Sequence, residues 1–265
     1  MRNPTSTETL QRIHKGLQAA VEAISPFVPG AVEAQFKKGD DPVTEADRAA
    51  NHALRNVLLR DGEGWFSEES VDDLTRFSKK HVWIVDPLDG TREFVQGIPE
   101  WCISVALIEN RRAIAGGICN PATRETIVGA EGEGVTYNDQ PVQPTAKVSL
   151  DGAVVLASRS EVKRGEWDAF RGRQFVVRPM GSVAYKLGLV AAGKADVTWT
   201  LTPKHEWDVA AGVALIQASG GFVRSLAGSA LTFNNQQPLL PGLVAGGQGL
   251  REELLSLLSD HLHDH

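Results

Sequence analysis

Acidic side chains end two apolar runs in this sequence, where a carboxylate costs free energy unless it is paired or binds a cation. Glu68 and Glu69 follow the first run, and Asp86 and Asp89 follow the second, with a proline and Leu88 between them. Proline fixes its φ and has no N–H, so this turn is stiff, and both aspartates and the Leu88 carbonyl can converge on one point. An all-oxygen donor set of this kind selects hard cations, above all Mg²⁺.

The residues after Asp89 add a candidate anion site. Gly90 and Thr91 are predicted to open a helix that runs into Phe94, and helix N-termini bind anions through free N–H groups and a positive dipole end. Cations beside an anion site fit the hydrolysis of a phosphate ester. In that chemistry, two metals about 3.5–4 Å apart activate water and stabilise the leaving oxygen.

Each motif taken alone has a structural alternative. The acids at the run ends fit a solvated loop and an Asx or type I turn. Thr44 and Asp47 have the spacing of a capping box, and Trp207-Asp208 fits a helix start where the dipole favours an acid. All of these features occur in one chain and in a fixed order, and this combination favours the functional interpretation.

Composition narrows the class of protein. The chain has 265 residues, with 33 acidic against 27 basic side chains and a net charge of −6, which gives no support to a nucleic-acid polymer or an anionic membrane as partner. Cys102 and Cys119 are too few for a disulfide framework or a zinc site, so a cytoplasmic protein is expected. The apolar run 101–108 is too short to span a bilayer.

Hydrophobic periodicity predicts the elements that must position these residues. In the first half it predicts helices over 10–24 and from Thr44, strands over 65–67 and 82–85 that end at the acids, and an antiparallel meander over 101–134. A polar segment over 136–151 is predicted to connect the two halves. In the second half strands are predicted over 153–157, 175–177, 196–200 and from 222, and helices over 182–192, 206–218 and 250–258.

This order of elements predicts a layered α/β (α+β) protein with two halves. Residues 1–145 are predicted to form an N-terminal α+β half that carries most of the metal ligands. Residues 146–265 are predicted to form a C-terminal α/β half that carries Asp208 and the loops on the substrate side.

Four segments together resemble the ordered motifs of the inositol monophosphatase superfamily: Lys37–Asp47, Ser67–Ser70, Trp83–Thr91 and Trp207–Gly212. The resemblance runs from the first helix to about Val223. It implies a Mg²⁺-dependent, lithium-sensitive phosphomonoesterase with a layered αβαβα fold, two to three bound Mg²⁺ ions and a homodimeric assembly.

The resemblance also implies roles for individual residues. The implied metal ligands are Glu68, Asp86 and the Leu88 carbonyl for the first Mg²⁺, and Asp86, Asp89 and Asp208 for the second. A third, loosely held ion would contact Glu68, with Glu69 in support. Asp47 and the Thr91 hydroxyl would orient and deprotonate the attacking water, while the N–H groups of Gly90 and Thr91 hold the phosphate. Neither cysteine lies in these motifs.

Two positions bear on which ester is cleaved. After Gly-Thr the chain continues Arg92-Glu93-Phe94, which is similar to 3′(2′),5′-bisphosphate nucleotidases rather than to the Thr-Asn-Phe of inositol phosphatases. Leu201 stands where inositol phosphatases tend to carry a glutamate. We therefore expect hydrolysis of 3′-phosphoadenosine 5′-phosphate to AMP, with inositol phosphate as the alternative. Histidinol phosphate stays open, because histidinol phosphatases of this superfamily also have Asp-Gly-Thr-Arg followed by an aromatic residue.

Further residues have interpretations that the sequence leaves open. Lys204 and His205 would place positive charge near a second phosphate, or Lys204 is a solvated loop residue. Gly181-Ser182 would form part of the substrate wall, or a structural cap. Arg171 and Arg173 receive no role. A catalytically silent, phosphatase-like regulatory binding protein is the non-enzyme alternative, and it predicts the loss of a metal acid or of the threonine, none of which is lost here.

Overall fold

The structure, a computed structural model, describes residues 6–36 and 42–263. Segment 37–41, which belongs to the first of the four motifs above, lies outside the described residues, as do 1–5 and 264–265. Within the described ranges, no helix is both long enough and apolar enough to cross a membrane.

The helices of the described residues include all the predicted ones and one short helix, α4, that was not predicted. They are α1 Ser6–Ile24, α2 Glu45–Leu58, α3 Thr91–Val95, α4 Arg159–Lys163, α5 Val183–Ala191, α6 Glu206–Ala218 and α7 Arg251–His263. Thr44 caps α2 by accepting a hydrogen bond from the Ala46 N–H, and Asp47 reaches back to the Thr44 backbone, so the predicted capping box is present. The predicted opening of a helix at Thr91 is confirmed.

The strands of the described residues form two large sheets and two short ribbons. They are β1 Gln35–Phe36, β2 Pro42–Val43, β3 Gly64–Ser67, β4 His81–Asp89, β5 Cys102–Glu109, β6 Arg112–Asn120, β7 Glu125–Ala130, β8 Gly134–Tyr137, β9 Gln140–Val142, β10 Val154–Ser158, β11 Val176–Met180, β12 Val197–Thr200, β13 Lys204–His205, β14 Phe222–Ser225, β15 Leu239–Leu240 and β16 Leu243–Gly246. The ribbons are β1–β2 and β13–β15.

The larger sheet has seven strands in the order β3-β4-β5-β6-β7-β8-β9. Its strands pair antiparallel except for β3 and β4, which are parallel. Because successive side chains point to opposite faces, Trp83 and Val85 pack in the cluster that contains α1 and α2. Ile84 and Ala106 pack in the cluster that contains α5 and α6. The sheet is therefore covered by helices on both faces.

The prediction of a connecting segment over 136–151 is wrong in its first part. Residues up to Val142 form the edge strands β8 and β9 of the larger sheet. Asn138 and Asp139 have positive φ values of 46° and 64° and form the two-residue turn between these strands. An Asn-Asp pair tolerates that conformation and closes a tight hairpin between the two short strands.

The smaller sheet has five strands in the order β11-β10-β12-β16-β14. Strands β11, β10 and β12 are parallel, and β16 is antiparallel to both β12 and β14. Leu156 and Ala245 face the cluster with α5 and α6. Val155 and Trp199 face the cluster with Leu254 of α7. The layers thus follow the order α, β, α, β, α, which confirms the expected fold class.

Two adjacent glycines of β6 allow helices to approach the larger sheet closely. A Cβ on Gly117 would lie 2.3 Å from Cγ2 of Ile13 in α1. A Cβ on Gly116 would lie 2.6 Å from the carbonyl oxygen of Ala211 in α6. Neither distance is compatible with a side chain, so at this strand α1 packs closely against one face of the larger sheet and α6 against the other.

Candidate active site

The first two acidic motifs lie side by side at one end of the larger sheet. Strands β3 and β4 are parallel, and Ser67 pairs with Val85. Glu68 continues this pairing, because its N–H donates to the Val85 carbonyl over 3.2 Å. Glu68 therefore comes next to Asp86. The sequence prediction that the strand stops at Asp86 is wrong, since β4 runs to Asp89 with a shift of register against β5 between the two aspartates.

The turn after Asp86 has the predicted local chemistry. The Leu88 N–H donates to Oδ1 of Asp86 over 3.0 Å, which is the Asx turn expected of this residue type. Gly90 follows with φ of 97°, and a Cβ there would lie 2.8 Å from the Glu100 carbonyl oxygen. Only glycine fits both constraints. This turn directs the chain into α3 at Thr91.

Asp47 links α2 to this turn. It is 2% exposed, and its Oδ2 accepts hydrogen bonds from the Thr44 N–H over 2.7 Å and from the Thr44 hydroxyl over 2.6 Å. The Thr91 hydroxyl is 3.0 Å from Oδ1 of Asp47 and 3.0 Å from the Leu88 carbonyl oxygen. Burial raises the pKa of Asp47 above its usual value, and the charge of Glu69 adds to this effect.

Asp89 and Asp208 approach the same region from different layers. Oδ2 of Asp89 accepts hydrogen bonds from the Ser182 hydroxyl over 2.6 Å and from the Ala184 N–H over 2.7 Å, at the start of α5. Asp208 lies in the first turn of α6, and its Oδ2 accepts a hydrogen bond from the His205 N–H over 2.9 Å.

The acids affect one another electrostatically. Burial, together with the charges of Glu68 and Asp89, raises the pKa of Asp86 well above its usual value. Desolvation raises the pKa of Asp208 in the same way, again with the charges of Asp89 and Glu68. The carboxylates at the ends of two strands and at the start of one helix therefore influence one another's ionisation.

A cavity of about 270 Å³ opens where these elements meet. The acids Glu68, Asp86, Asp89 and Asp208 line it. Its lining also includes the four basic residues Arg92, Arg159, Lys186 and Lys204. A cavity lined by both acidic and basic side chains is suited to an anion that binds together with cations.

The donor set fits a hard divalent cation. Carboxylates and the Leu88 carbonyl supply oxygen only, the ligand that Mg²⁺ prefers. Across residues 6–36 and 42–263, no three His, Cys, Asp or Glu side chains are drawn together into a ready-made metal centre. Burial and the charges of neighbouring carboxylates raise the pKa values of Asp86 and Asp208, and a bound cation would neutralise these charges.

Most of the residues singled out in the sequence line this cavity. Leu88, Gly90, Thr91, Gly181, Ser182, Lys204 and His205 do so in addition to the four acids. Asp47 and Glu69 are not part of the lining. Asp47 contacts it through Thr91, and Glu69 acts on Asp47 through its charge.

The arginines without a predicted role lie elsewhere. Arg171 forms an exposed ion pair with Asp168. Arg173 lines a separate depression beside Leu150 and Phe175. Both cysteines are buried free thiols, and burial raises the pKa of Cys102 well above its usual value, so neither is a reactive thiolate.

Sequence reasoning missed Lys186, which lines the cavity from α5. Its ammonium donates to the carbonyls of Met180, Gly181 and Ser182 over 3.3, 3.4 and 3.0 Å. Burial lowers its pKa to about 8, against the opposing charge of Asp89. The available signal was a lone charge within an otherwise apolar helix, four residues after the cap Ser182.

Comparison with known proteins gives consistent matches over nearly the whole chain. The model of the inositol monophosphatase family matches residues 7–263. The inositol-1-monophosphatase of Mesorhizobium japonicum is 32% identical over 240 residues, which cover 87% of this chain and 88% of the relative.

Two solved structures share the fold. An inositol monophosphatase of Thermotoga maritima superposes with a TM-score of 0.80 at 25% identity, covering 97% of each chain. CysQ of Bacteroides thetaiotaomicron, described as a bacterial member of the inositol monophosphatase family, superposes with a TM-score of 0.74 at 28% identity, covering 92% of this chain and 98% of that one.

Proposed function

Since this chain belongs to the inositol monophosphatase family, we propose that it hydrolyses a small phosphate monoester with Mg²⁺ and water, and that the ester is 3′-phosphoadenosine 5′-phosphate, which it converts to AMP. Membership of the family identifies the chain as a phosphatase. The identity of the ester is the finer part of the proposal.

The acids of the cavity are proposed to hold the metal. Glu68, Asp86 and the Leu88 carbonyl would bind one Mg²⁺, and Asp86, Asp89 and Asp208 a second. A third ion would contact Glu68, with Glu69 nearby. When bound, Mg²⁺ lowers the pKa of water and stabilises negative charge on the leaving oxygen.

Asp47 and Thr91 are proposed to handle the proton of the attacking water. The Thr91 hydroxyl lies within hydrogen-bond distance of Asp47, so it can orient a water molecule while its own proton points to the carboxylate. The raised pKa of Asp47 makes this carboxylate a better proton acceptor than an exposed aspartate.

The backbone after Asp89 is proposed to hold the phosphate. Gly90 caps α3 in a left-handed conformation, and Thr91 is the first residue of that helix. The N–H groups of these two residues belong to the helix start, where intrahelical carbonyl partners are lacking. They would bind the non-bridging oxygens of the phosphate. Gly181 and Ser182, which line the same cavity, would contact the rest of the substrate.

The position of Lys204 in the cavity wall is the observation that supports a bisphosphate substrate. Its side chain is 16% exposed and lines the cavity together with Lys186 and Arg159. The family resemblance associates the opposite preference, for inositol hydroxyls, with an acid at the position of Leu201. A cationic wall without that acid suits a second phosphate.

An inositol monophosphatase activity is the second candidate. It is favoured by the relative from Mesorhizobium japonicum, which bears that name and matches 87% of this chain. The experiment is a comparison of kcat/KM for 3′-phosphoadenosine 5′-phosphate, inositol 1-phosphate and histidinol phosphate at equal Mg²⁺, with and without lithium.

We expect the bisphosphate to have the highest kcat/KM and lithium to inhibit. A preference for inositol 1-phosphate would overturn the proposed substrate and favour the second candidate. The absence of Mg²⁺-dependent phosphate release from the whole panel would instead favour a silent binding protein.

A further inference from the structure

Glu161 is a carboxylate enclosed beside the cavity. It lies on the short helix α4, and its accessible surface is 0% of the maximum. The residues just before it, Ser158 to Ser160, line the cavity, but Glu161 itself does not. A carboxylate in such a place destabilises the fold unless donors and a counter-charge surround it.

Donors from two neighbouring segments surround this carboxylate. Oε1 accepts hydrogen bonds from the Thr200 hydroxyl, from the Thr202 hydroxyl over 2.8 Å and from the Thr202 N–H over 3.3 Å. Oε2 accepts hydrogen bonds from the Trp167 indole over 3.2 Å and from the Leu201 N–H over 3.3 Å. Glu161 thus fixes the end of β12 and the turn that leads to Lys204.

Lys204 completes this arrangement. Its ammonium donates to the Thr202 hydroxyl oxygen over 2.7 Å and lies 3.6 Å from Oε1 of Glu161. The Thr202 hydroxyl therefore accepts from Lys204 and donates to Glu161. Although burial alone would raise the pKa of Glu161, these hydroxyl donors and the charge of Lys204 lower it below its usual value, so the carboxylate is ionised.

Neutral donors already satisfy Glu161, so Lys204 is not needed for its hydrogen bonding. An ammonium has three N–H donors, and in the described part of the chain the Thr202 hydroxyl takes one of them. Lys204 reaches the cavity, which leaves donors for a ligand there. The buried anion also limits the freedom of a long side chain, and this reduces the entropy that binding would cost.

We propose that Glu161 is a positioning residue that holds the Lys204 ammonium at the cavity wall, where it binds the second phosphate of the substrate. This inference rests on the proposed function, because it assigns the group that recognises the part of the bisphosphate that is not cleaved. Because Glu161 does not line the cavity, it would not contact the reacting phosphate.

The test compares two nucleotides that differ only in the second phosphate. Phosphate release is measured from 3′-phosphoadenosine 5′-phosphate and from adenosine 3′-phosphate, with wild type, Lys204→Met, Glu161→Gln and the double variant. We expect each single variant to raise KM for the bisphosphate about tenfold, the effect of losing a hydrogen bond to a charged group. The kcat, and both constants for the monophosphate, should change less than about twofold.

Non-additivity separates positioning from general damage to the fold. If Glu161 acts through Lys204, the double variant should have the same KM for the bisphosphate as Lys204→Met alone. Lys163→Met, on the exposed side of the same helix α4, serves as the control and should match wild type. Additive losses, or a Glu161→Gln variant that lowers kcat for both nucleotides equally, would overturn the positioning role.

Thr202→Val covers the case in which Glu161→Gln does not fold. This variant keeps the side-chain shape and removes the hydroxyl that connects Lys204 to Glu161. A rise in KM for the bisphosphate alone would support the proposal, and an unchanged KM would overturn it.

Failure of the proposed function has a different signature. If wild type shows no preference for the bisphosphate over the monophosphate, the proposed substrate is wrong. The same variants are then assayed with the ester that wild type cleaves best. Equal, non-additive increases in KM for Lys204→Met and Glu161→Gln would still support positioning of Lys204, whereas an unchanged KM would overturn it.

Discussion

Replacement of Asp47 by asparagine separates the two contributions that this residue makes. The carboxylate completes the capping box of α2 by accepting a hydrogen bond from the Thr44 N–H, and it also accepts one from the Thr91 hydroxyl. An amide keeps one oxygen as acceptor but cannot take a proton. Loss of a general base lowers rates by about 10²–10⁴. At about 1.36 kcal/mol per factor of ten, this raises the barrier by about 2.7–5.4 kcal/mol.

The expected loss of stability is far smaller. Complete removal of a helix cap costs about 0.5–2 kcal/mol, and the asparagine oxygen can still accept from Thr44. Burial raises the pKa of Asp47, so the ionised carboxylate is held at a cost that the neutral amide avoids. We expect the free energy of unfolding at pH 7 to stay within about 1 kcal/mol of wild type.

The sign of the pH dependence follows from the same shift. The folded pKa of Asp47 lies above its value in the unfolded chain. Its contribution to stability is therefore complete below the unfolded value and is lost as the pH rises through the folded value. Wild type should lose more free energy of unfolding than Asp47→Asn across this acidic window.

The assay combines phosphate release at saturating Mg²⁺ with urea unfolding at acidic and neutral pH. Glu45→Gln is the matched control, because Glu45 lies in the same turn of α2 with its side chain 64% exposed. It should leave kcat near wild type. A kcat for Asp47→Asn within about threefold of wild type would refute the role of Asp47 as a base. If the variant does not fold, the small loss of stability expected for this substitution is refuted.

Three further predictions concern the acids and their supports. Asp89→Asn should abolish turnover, and near-normal activity would contradict its role in metal binding. Ser182→Ala removes a donor to Asp89 and should weaken Mg²⁺ activation about 10–100-fold, as measured by titration of activity with Mg²⁺. In Gly181→Ala the new Cβ would lie 2.4 Å from Cδ of Glu93. This substitution should lower the free energy of unfolding by about 1–3 kcal/mol. An unchanged free energy of unfolding in urea would contradict this prediction and show that the Glu93 side chain moves aside without cost.

The sequence predicted the site best where its chemistry is local. The capping box of Thr44 and Asp47, the turn after Asp86 and the helix start at Thr91 each depend on residues within a few positions of one another. These features are present as predicted. The convergence of the acids followed from their place at strand ends, which meet because β3 and β4 are parallel.

Features that depend on contacts between distant parts of the chain could not be predicted from the sequence. Strand β16 lies between β12 and β14 in the smaller sheet, yet Leu243–Gly246 is short and surrounded by glycines, so it has no strand signal of its own. Glu161 lies in a run of charged residues typical of a solvated helix. Glu161 is buried because β12 and Trp167 pack against it. Strand β12 is distant in the sequence, and the position of Trp167 depends on the fold, so the local sequence does not predict this burial.

The site draws its groups from both sheets and from the helices between them, and this arrangement has an evolutionary consequence. The acids Glu68, Asp86 and Asp89 belong to the end of the larger sheet, whereas Lys204 and Glu161 are supplied by segments next to the smaller sheet. On the roles proposed above, substitutions around Lys204 would alter which ester is accepted and would leave the residues proposed to break the bond untouched. If Lys204 selects the substrate as proposed, a lineage built on this scaffold would change its substrate through the segments next to the smaller sheet and keep its hydrolytic residues.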